Sequence, residues 1–351
     1  MTRSLLLLCA AAAAAQPLPD AKSPGYAVLV RQHGRTVLAR GYGARDLRTF
    51  APIDAKTNFR LASCTKQFTA AAAMLLVRDG RLRYETRLTD IFPDFPAYGR
   101  AITVRHLLTH TSGLPDYEDL MDARWTAARQ IQDAEAFDLL KSQTAGKFAP
   151  GTSWSYSNSG YVVLGLIVAK ASGMPFAQFL RNRIFAPLHM EATAATPSVP
   201  ARAYGHTKQN GRFIETDQSP TSATLGDGGV YSNLDDLAKW DEALRTHALL
   251  SEAEMKPALT PARLAGGAQP RWPSEPNEDN LDPGAPVAYG FGWFLDPYRG
   301  RPRMWHFGTT QGFRTAIERF PSQELTVVVL CNRTDLDATS LLCKYRARSS
   351  E

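Results

Sequence analysis

The chain has 351 residues, 44% hydrophobic and 21% charged, a globular balance that excludes a disordered chain. Forty Lys and Arg against 34 Asp and Glu leave a net charge of +6 with no basic run, so nothing argues for nucleic acid as a partner. None of the four cysteines (Cys9, Cys64, Cys331 and Cys343) forms a Cys-x-x-Cys pair, which excludes a zinc ribbon or thioredoxin motif, and the size of the chain excludes a disulfide framework.

Residues 1–15 read as a secretory signal peptide: Arg3, then an apolar run from Leu5, then Ala13-Ala14-Ala15 before Gln16. No other apolar run is long enough to span a membrane, so a periplasmic or secreted protein without a membrane span is expected. In an oxidising compartment Cys331 and Cys343 could pair or stay as buried thiols. The sequence does not fix an oligomeric state.

Tyr26–Val30 and Thr36–Ala39 flank His33-Gly34 and predict a hairpin. Ser63–Arg78 predicts a buried helix stopped at Asp79-Gly80. Further helices are predicted over Val104–Leu108, Ala134–Ser142, Tyr161–Ala171, Phe176–Ile184 and Leu234–Leu244. Residues 257–286 hold seven prolines and predict an extended loop rather than a packed element. Phe313–Phe320 and the β-branched run Leu325–Cys331 predict strands around the turn at Pro321, before a closing helix over Asp337–Arg348. The fold class is therefore α/β (α+β): a mostly antiparallel sheet from both ends of the chain, flanked by helices. Residues 20–80 and 215–351 would form the discontinuous sheet domain, with an inserted all-helical region over 81–214.

The chain contains no Gly-x-Ser-x-Gly elbow, His-Glu-x-x-His, P-loop or Gly-x-Gly-x-x-Gly motif. No histidine spacing suggests a metal site, and no cofactor is implied. Ser63 and Lys66 lie three apart, on one face of the first turn of the predicted helix. Burial and the positive helix end would both lower the Lys66 pKa, setting an amine base beside a hydroxyl nucleophile. The plainer alternative makes Ser63 a cap and Lys66 a surface residue. Tyr156-Ser157-Asn158 offers a phenol for proton relay and an amide to grip a substrate carbonyl. The same triplet recurs at Tyr231-Ser232-Asn233, and either could simply cap a helix. Trp305-His306-Phe307-Gly308-Thr309 precedes a strand, and its glycine would let a substrate lie against a strand edge.

In this order the three motifs resemble those of the penicillin-recognising serine hydrolases, in the class C β-lactamase and D-alanyl-D-alanine carboxypeptidase branch. The likeness covers roughly residues 25–345. Ser63-Cys64-Thr65-Lys66 matches S-x-x-K, Tyr156-Ser157-Asn158 matches Y-x-N, and His306-Phe307-Gly308 stands where the family has K-T-G or H-x-G. Leu107–Leu114 and Gly226–Ser232 also look like the family, which makes Tyr231 structural. The resemblance implies a β-lactamase/transpeptidase-like fold and a secreted hydrolase of amide or ester bonds. Ser63 would form the acyl-enzyme, and Lys66 and Tyr156 would share the proton work, either being the base. The N–H groups of Ser63 and Thr309 would form the oxyanion hole. Asn158, His306, Gly308 and Thr309 would bind a small-molecule or peptide substrate: a β-lactam, a D-amino-acid peptide or an ester. A penicillin-binding sensor that acylates but releases slowly is the alternative. His306 departs from the Lys of K-T-G. An unperturbed His protonates near pH 6.5, so activity on anionic substrates is expected to rise below about that pH. His110 and Ser112 form a weaker rival pair, and Cys64 should turn into the core.

Overall fold

The computed structural model describes residues 18–274 and 282–347. The expected leader at 1–15 and Pro276 of the proline-rich stretch lie outside the described residues.

Both ends of the chain build one sheet. The first hairpin supplies β1 (Tyr26–Gln32) and β2 (Arg35–Tyr42), and the C-terminal part supplies β3 (Met304–Thr310), β4 (Phe313–Phe320) and β5 (Leu325–Cys331). The order is β2-β1-β5-β4-β3, with antiparallel neighbours throughout. The run LTVVVLC takes the centre because it can be buried on both faces. Val328 and Leu330 join the large core on one face. Val327, Val329 and Cys331 pack on the other against Leu341, Leu342 and Tyr345 of the closing helix. The exposed edge strand β2 carries Arg35 and Arg40, charges that discourage edge-to-edge pairing.

Among the helices are α1 (Lys66–Arg78), α2 (Val104–Leu108), α3 (Asp133–Lys141), α4 (Asn158–Ser172), α5 (Leu234–Thr246) and α6 (Ala338–Ala347); further short helices lie between them, Phe176–Leu180 being one. In α1 every residue from Lys66 to Leu76 is buried. Its four consecutive alanines allow close packing against α4. Asn233 caps α5 by accepting from Asp236 N–H at 2.9 Å, while Tyr231-Ser232 pairs with Phe59-Arg60, so the second Tyr-Ser-Asn triplet is structural. Asp241 of α5 joins the helix to the sheet. Its carboxylate accepts from Arg319 Nε (2.7 Å) and Thr326 Oγ1 (2.6 Å), with Arg31 Nε at 3.4 Å, and all four residues are buried.

Two expectations change and one open alternative closes. The segment 81–214 is not all helical: His206–Gln209 and Arg212–Glu215 form a hairpin whose turn residues, Asn210 and Gly211, both have positive φ. The proline-rich stretch is not merely an excursion, because Trp272 is buried with Trp154, Val287, Tyr289 and Phe294 in a small aromatic core. Of the two arrangements left open for Cys331 and Cys343, no disulfide joins them: Cys331 lies buried in the sheet, and Cys343 on α6 is half-buried. Among the described residues no single helix is long and apolar enough to cross a membrane.

Candidate active site

The short strand Phe59-Arg60 delivers the chain to Leu61, whose N–H donates to Val230 O at 2.8 Å. Ala62 then adopts φ 47°, a left-handed conformation uncommon for a residue with a side chain. A 3₁₀ turn over Ala62–Thr65 follows and runs into α1. Side chains three apart eclipse in such a turn, and Lys66 Nζ stands 3.0 Å from Ser63 Oγ. Neither plain alternative holds. The residue at the N-cap of α1 is Thr65, and Lys66 is fully buried.

Burying an ammonium-bearing side chain is costly without acceptors. Nζ also donates to Asn158 Oδ1 at 2.8 Å and to the carbonyl oxygen of Asp227 at 3.0 Å. The faces of the Tyr156 and Tyr161 rings lie 4.8 and 5.5 Å away and add cation–π attraction. Asp227 sits in the Gly226–Gly229 loop. Its carboxylate accepts from Tyr117 Oη at 3.2 Å, and Gly226 rests on α4 so closely that a Cβ would stand 2.2 Å from Tyr161 O.

Ser157 caps α4 by accepting from Gly160 N–H at 3.0 Å, so the capping role is real for the middle residue of Tyr156-Ser157-Asn158. Its neighbours serve the site. The Tyr156 ring faces Lys66, and Asn158 bridges Lys66 to Glu118 by donating Nδ2–H to Glu118 Oε1 at 3.1 Å. Glu118 is exposed, in a turn spanning Glu118–Leu120. Sequence reasoning misses it and Asp227, since neither belongs to a motif that contains its partner.

The edge strand β3 forms the other wall. A Cβ on Gly308 would lie 2.2 Å from Leu61 O and 3.1 Å from Ala62 Cβ, so only glycine lets β3 come this close to the turn that carries Ser63. Trp305 exchanges backbone hydrogen bonds with Phe294 on the side away from β4. By strand alternation Thr309 presents its N–H to the same side, four residues beyond that pairing. Cys64 turns inward to His306 O at 3.4 Å, and burial pushes its thiol up to about 12.

His306 does not play the expected part. It is fully buried, its Nδ1–H donates to Phe307 O at 2.6 Å, and its Nε2 therefore accepts from Tyr289 Oη at 3.1 Å. Burial and the neighbouring Lys66 lower its pKa to about 3. A histidine held that low carries no charge with which to anchor a carboxylate near neutrality, so the burial of His306 argues against the expected rise below pH 6.5. His110 is also buried, behind Tyr156, and is held well below the usual histidine range by burial, Lys66 and His306. Ser112 Oγ accepts from Leu114 N–H inside the fold. The rival pair is thus walled off from solvent.

The structure brings Ser63, Lys66 and Asn158 into one hydrogen-bonded group, sets the Tyr156 ring against Lys66, and packs Gly308 on the same turn. Thr309 lies at the adjoining edge, and His306 lies beneath.

Residues 11–349 match the beta-lactamase family. A penicillin-binding protein of Bacillus subtilis (strain 168) is 32% identical over 326 residues, covering 88% of this chain and 68% of that protein. A D-aminopeptidase of Cereibacter sphaeroides is 27% identical over 319 residues, covering 89% of this chain but only 57% of its own. The crystal structure of D-amino acid amidase from Ochrobactrum anthropi SV3 superposes with a TM-score of 0.74 at 25% identity, over 93% of each chain. Sequence, fold and relatives agree: the chain belongs to the beta-lactamase family of serine hydrolases.

Proposed function

We propose that the protein is an exported serine hydrolase that cleaves amide or ester bonds through an acyl-enzyme on Ser63, and that it favours substrates bearing a free amino group over carboxylate-bearing β-lactams. Ser63 Oγ attacks the substrate carbonyl while its proton passes to the Lys66–Tyr156 pair. The same pair returns a proton to the departing amine or alcohol. Water then cleaves the acyl–Ser63 ester and restores the Ser63 hydroxyl. The N–H groups of Ser63 and Thr309 hold the oxyanion, and Gly308 keeps the substrate strand close. The leader-like residues 1–15 support export to the periplasm or beyond.

One observation carries the substrate preference: the charge around Asn158. The His306 wall is neutral, and the exposed carboxylate of Glu118 is bonded to Asn158 at 3.1 Å. A substrate ammonium gains from that carboxylate, whereas a substrate carboxylate meets repulsion there. The D-aminopeptidase and D-amino acid amidase relatives fit this reading.

The test compares D-alanine p-nitroanilide with a chromogenic cephalosporin. Anilide turnover that disappears in Ser63→Ala and falls by roughly 10-fold or more in Glu118→Gln, the loss of one charge-assisted contact, supports the reading. Faster turnover of the cephalosporin would overturn the preference. A stoichiometric burst without steady turnover would instead mark a sensor that acylates and releases slowly.

A further inference from the structure

We propose that His110 is a positioning residue for Tyr156, holding the phenol against Lys66 by gripping the chain on both sides of it. This rests on the reading of Tyr156 as a proton carrier. The grip has three parts. The His110 carbonyl accepts from Ser155 N–H at 3.0 Å. Its Nδ1 accepts from Ser157 N–H at 3.1 Å. Its ring lies 4.4 Å from the Tyr156 ring, tilted by 35°. The residues before and after Tyr156 are therefore tied to one side chain and its own carbonyl, and the ring between them rests on the imidazole.

The backbone is set for this purpose. Just beyond the end of α2, His110 takes φ 60°, a left-handed conformation uncommon for a residue with a side chain. The bond to Ser157 also fixes the tautomer. A nitrogen that accepts carries no proton, so the neutral ring holds its proton on Nε2. That Nε2–H is buried and has no hydrogen-bond partner among the described residues. Cores avoid a buried donor of this kind, and Leu or Phe would fill the space among Trp154, Tyr161 and Tyr289 without one. Packing alone does not explain a histidine here; the acceptor at Nδ1 does. Burial and the nearby Lys66 also keep the ring neutral, so Nδ1 remains an acceptor over the working pH range.

The experiment compares His110→Asn, His110→Ala and His110→Leu with Tyr156→Phe, using D-alanine p-nitroanilide and p-nitrophenyl acetate below each variant's unfolding temperature. Asn tolerates the left-handed backbone and places an oxygen close to the Nδ1 position. Ala and Leu supply no acceptor, and Leu refills the pocket should Ala fail to fold. In Ala or Leu, kcat should fall by ~10²-fold, the size expected for misplacement of a reacting group. KM should stay within about twofold, because the group acts on the chemical step. Asn should recover at least about tenfold of that loss. The proposal is overturned if Ala or Leu keeps kcat within about threefold, or if Asn loses as much as Leu. If Tyr156→Phe retains full kcat on both substrates, the reading of the site fails first and takes this proposal with it.

Discussion

Replacing Gly308 with Ala tests the oxyanion wall directly. A Cβ at that position would sit 2.2 Å from Leu61 O, and side-chain Cβ atoms do not approach closer than 3.0 Å. Strand β3 must therefore retreat from the nucleophile turn by about 0.8 Å or twist. A second short contact, 2.3 Å to Thr315 Oγ1, blocks an easy sideways escape, because that hydroxyl already donates to Leu61 O at 2.8 Å. Thr309 moves with the strand. An N–H···O bond of ordinary length, about 2.9 Å, would lengthen to about 3.7 Å and cease to be one. Losing one oxyanion donor costs about 10²–10³ in kcat, and overpacking a tight contact costs about 1–3 kcal/mol of stability. Purified Gly308→Ala should therefore unfold several degrees earlier and show kcat reduced by at least ~10²-fold on an ester substrate at a temperature where it is still folded. A variant with kcat within about threefold of the parent would refute the assignment of β3 as the oxyanion wall, even if its stability fell as expected.

Other outcomes follow from the buried charges and imidazoles. The ratio of kcat/KM for an anionic ester to that for its neutral analogue should stay flat from pH 5 to 8, because His306 does not charge there; a rise below pH 6.5 would restore it as a carboxylate anchor. Stability behaves differently. A histidine held at about 3 when folded and near 6.5 when unfolded binds fewer protons in the native state between those values, so its contribution is complete above pH 6.5 and is lost as pH falls through that window. By pH 5 this amounts to roughly 2 kcal/mol, visible in denaturant midpoints as a loss that His306→Gln lacks. Asp241→Ala leaves Arg31 and Arg319 buried without their shared carboxylate and should cost about 3–5 kcal/mol in denaturant unfolding; a cost below about 1 kcal/mol would show that solvent reaches the network.

The parts of the site legible in the sequence are those with short-range geometry. Ser63 and Lys66 share one turn, so their spacing carries their contact. The strand pattern of Leu325–Cys331 and the Ala-rich α1 are legible for the same reason: a local period reports a buried face. Contacts across the chain are not local. Lys66 meets Asn158 and the Asp227 carbonyl, and Asn158 meets Glu118, across separations of 92, 161 and 40 residues. The charge of His306 is likewise invisible until burial is known, since residue type alone suggests titration near neutrality. Two further features are local as well. Asn210-Gly211 is a two-residue hairpin signal within 81–214, and Trp272 among the prolines is a large apolar side chain that anchors its stretch.

The pairing of β1 with β5 also governs when the protein can work. Tyr26 lies opposite Cys331, and Gln32 opposite Leu325. Such long-range pairing gives a high contact order and slow closure. During synthesis the helices can form early, but β1 waits for nearly the whole chain before it finds its central neighbour. Strand β3, which packs on the turn that carries Ser63, also arrives late. A nascent chain therefore holds Ser63 and Lys66 long before it holds an active site, and activity appears only when the sheet closes.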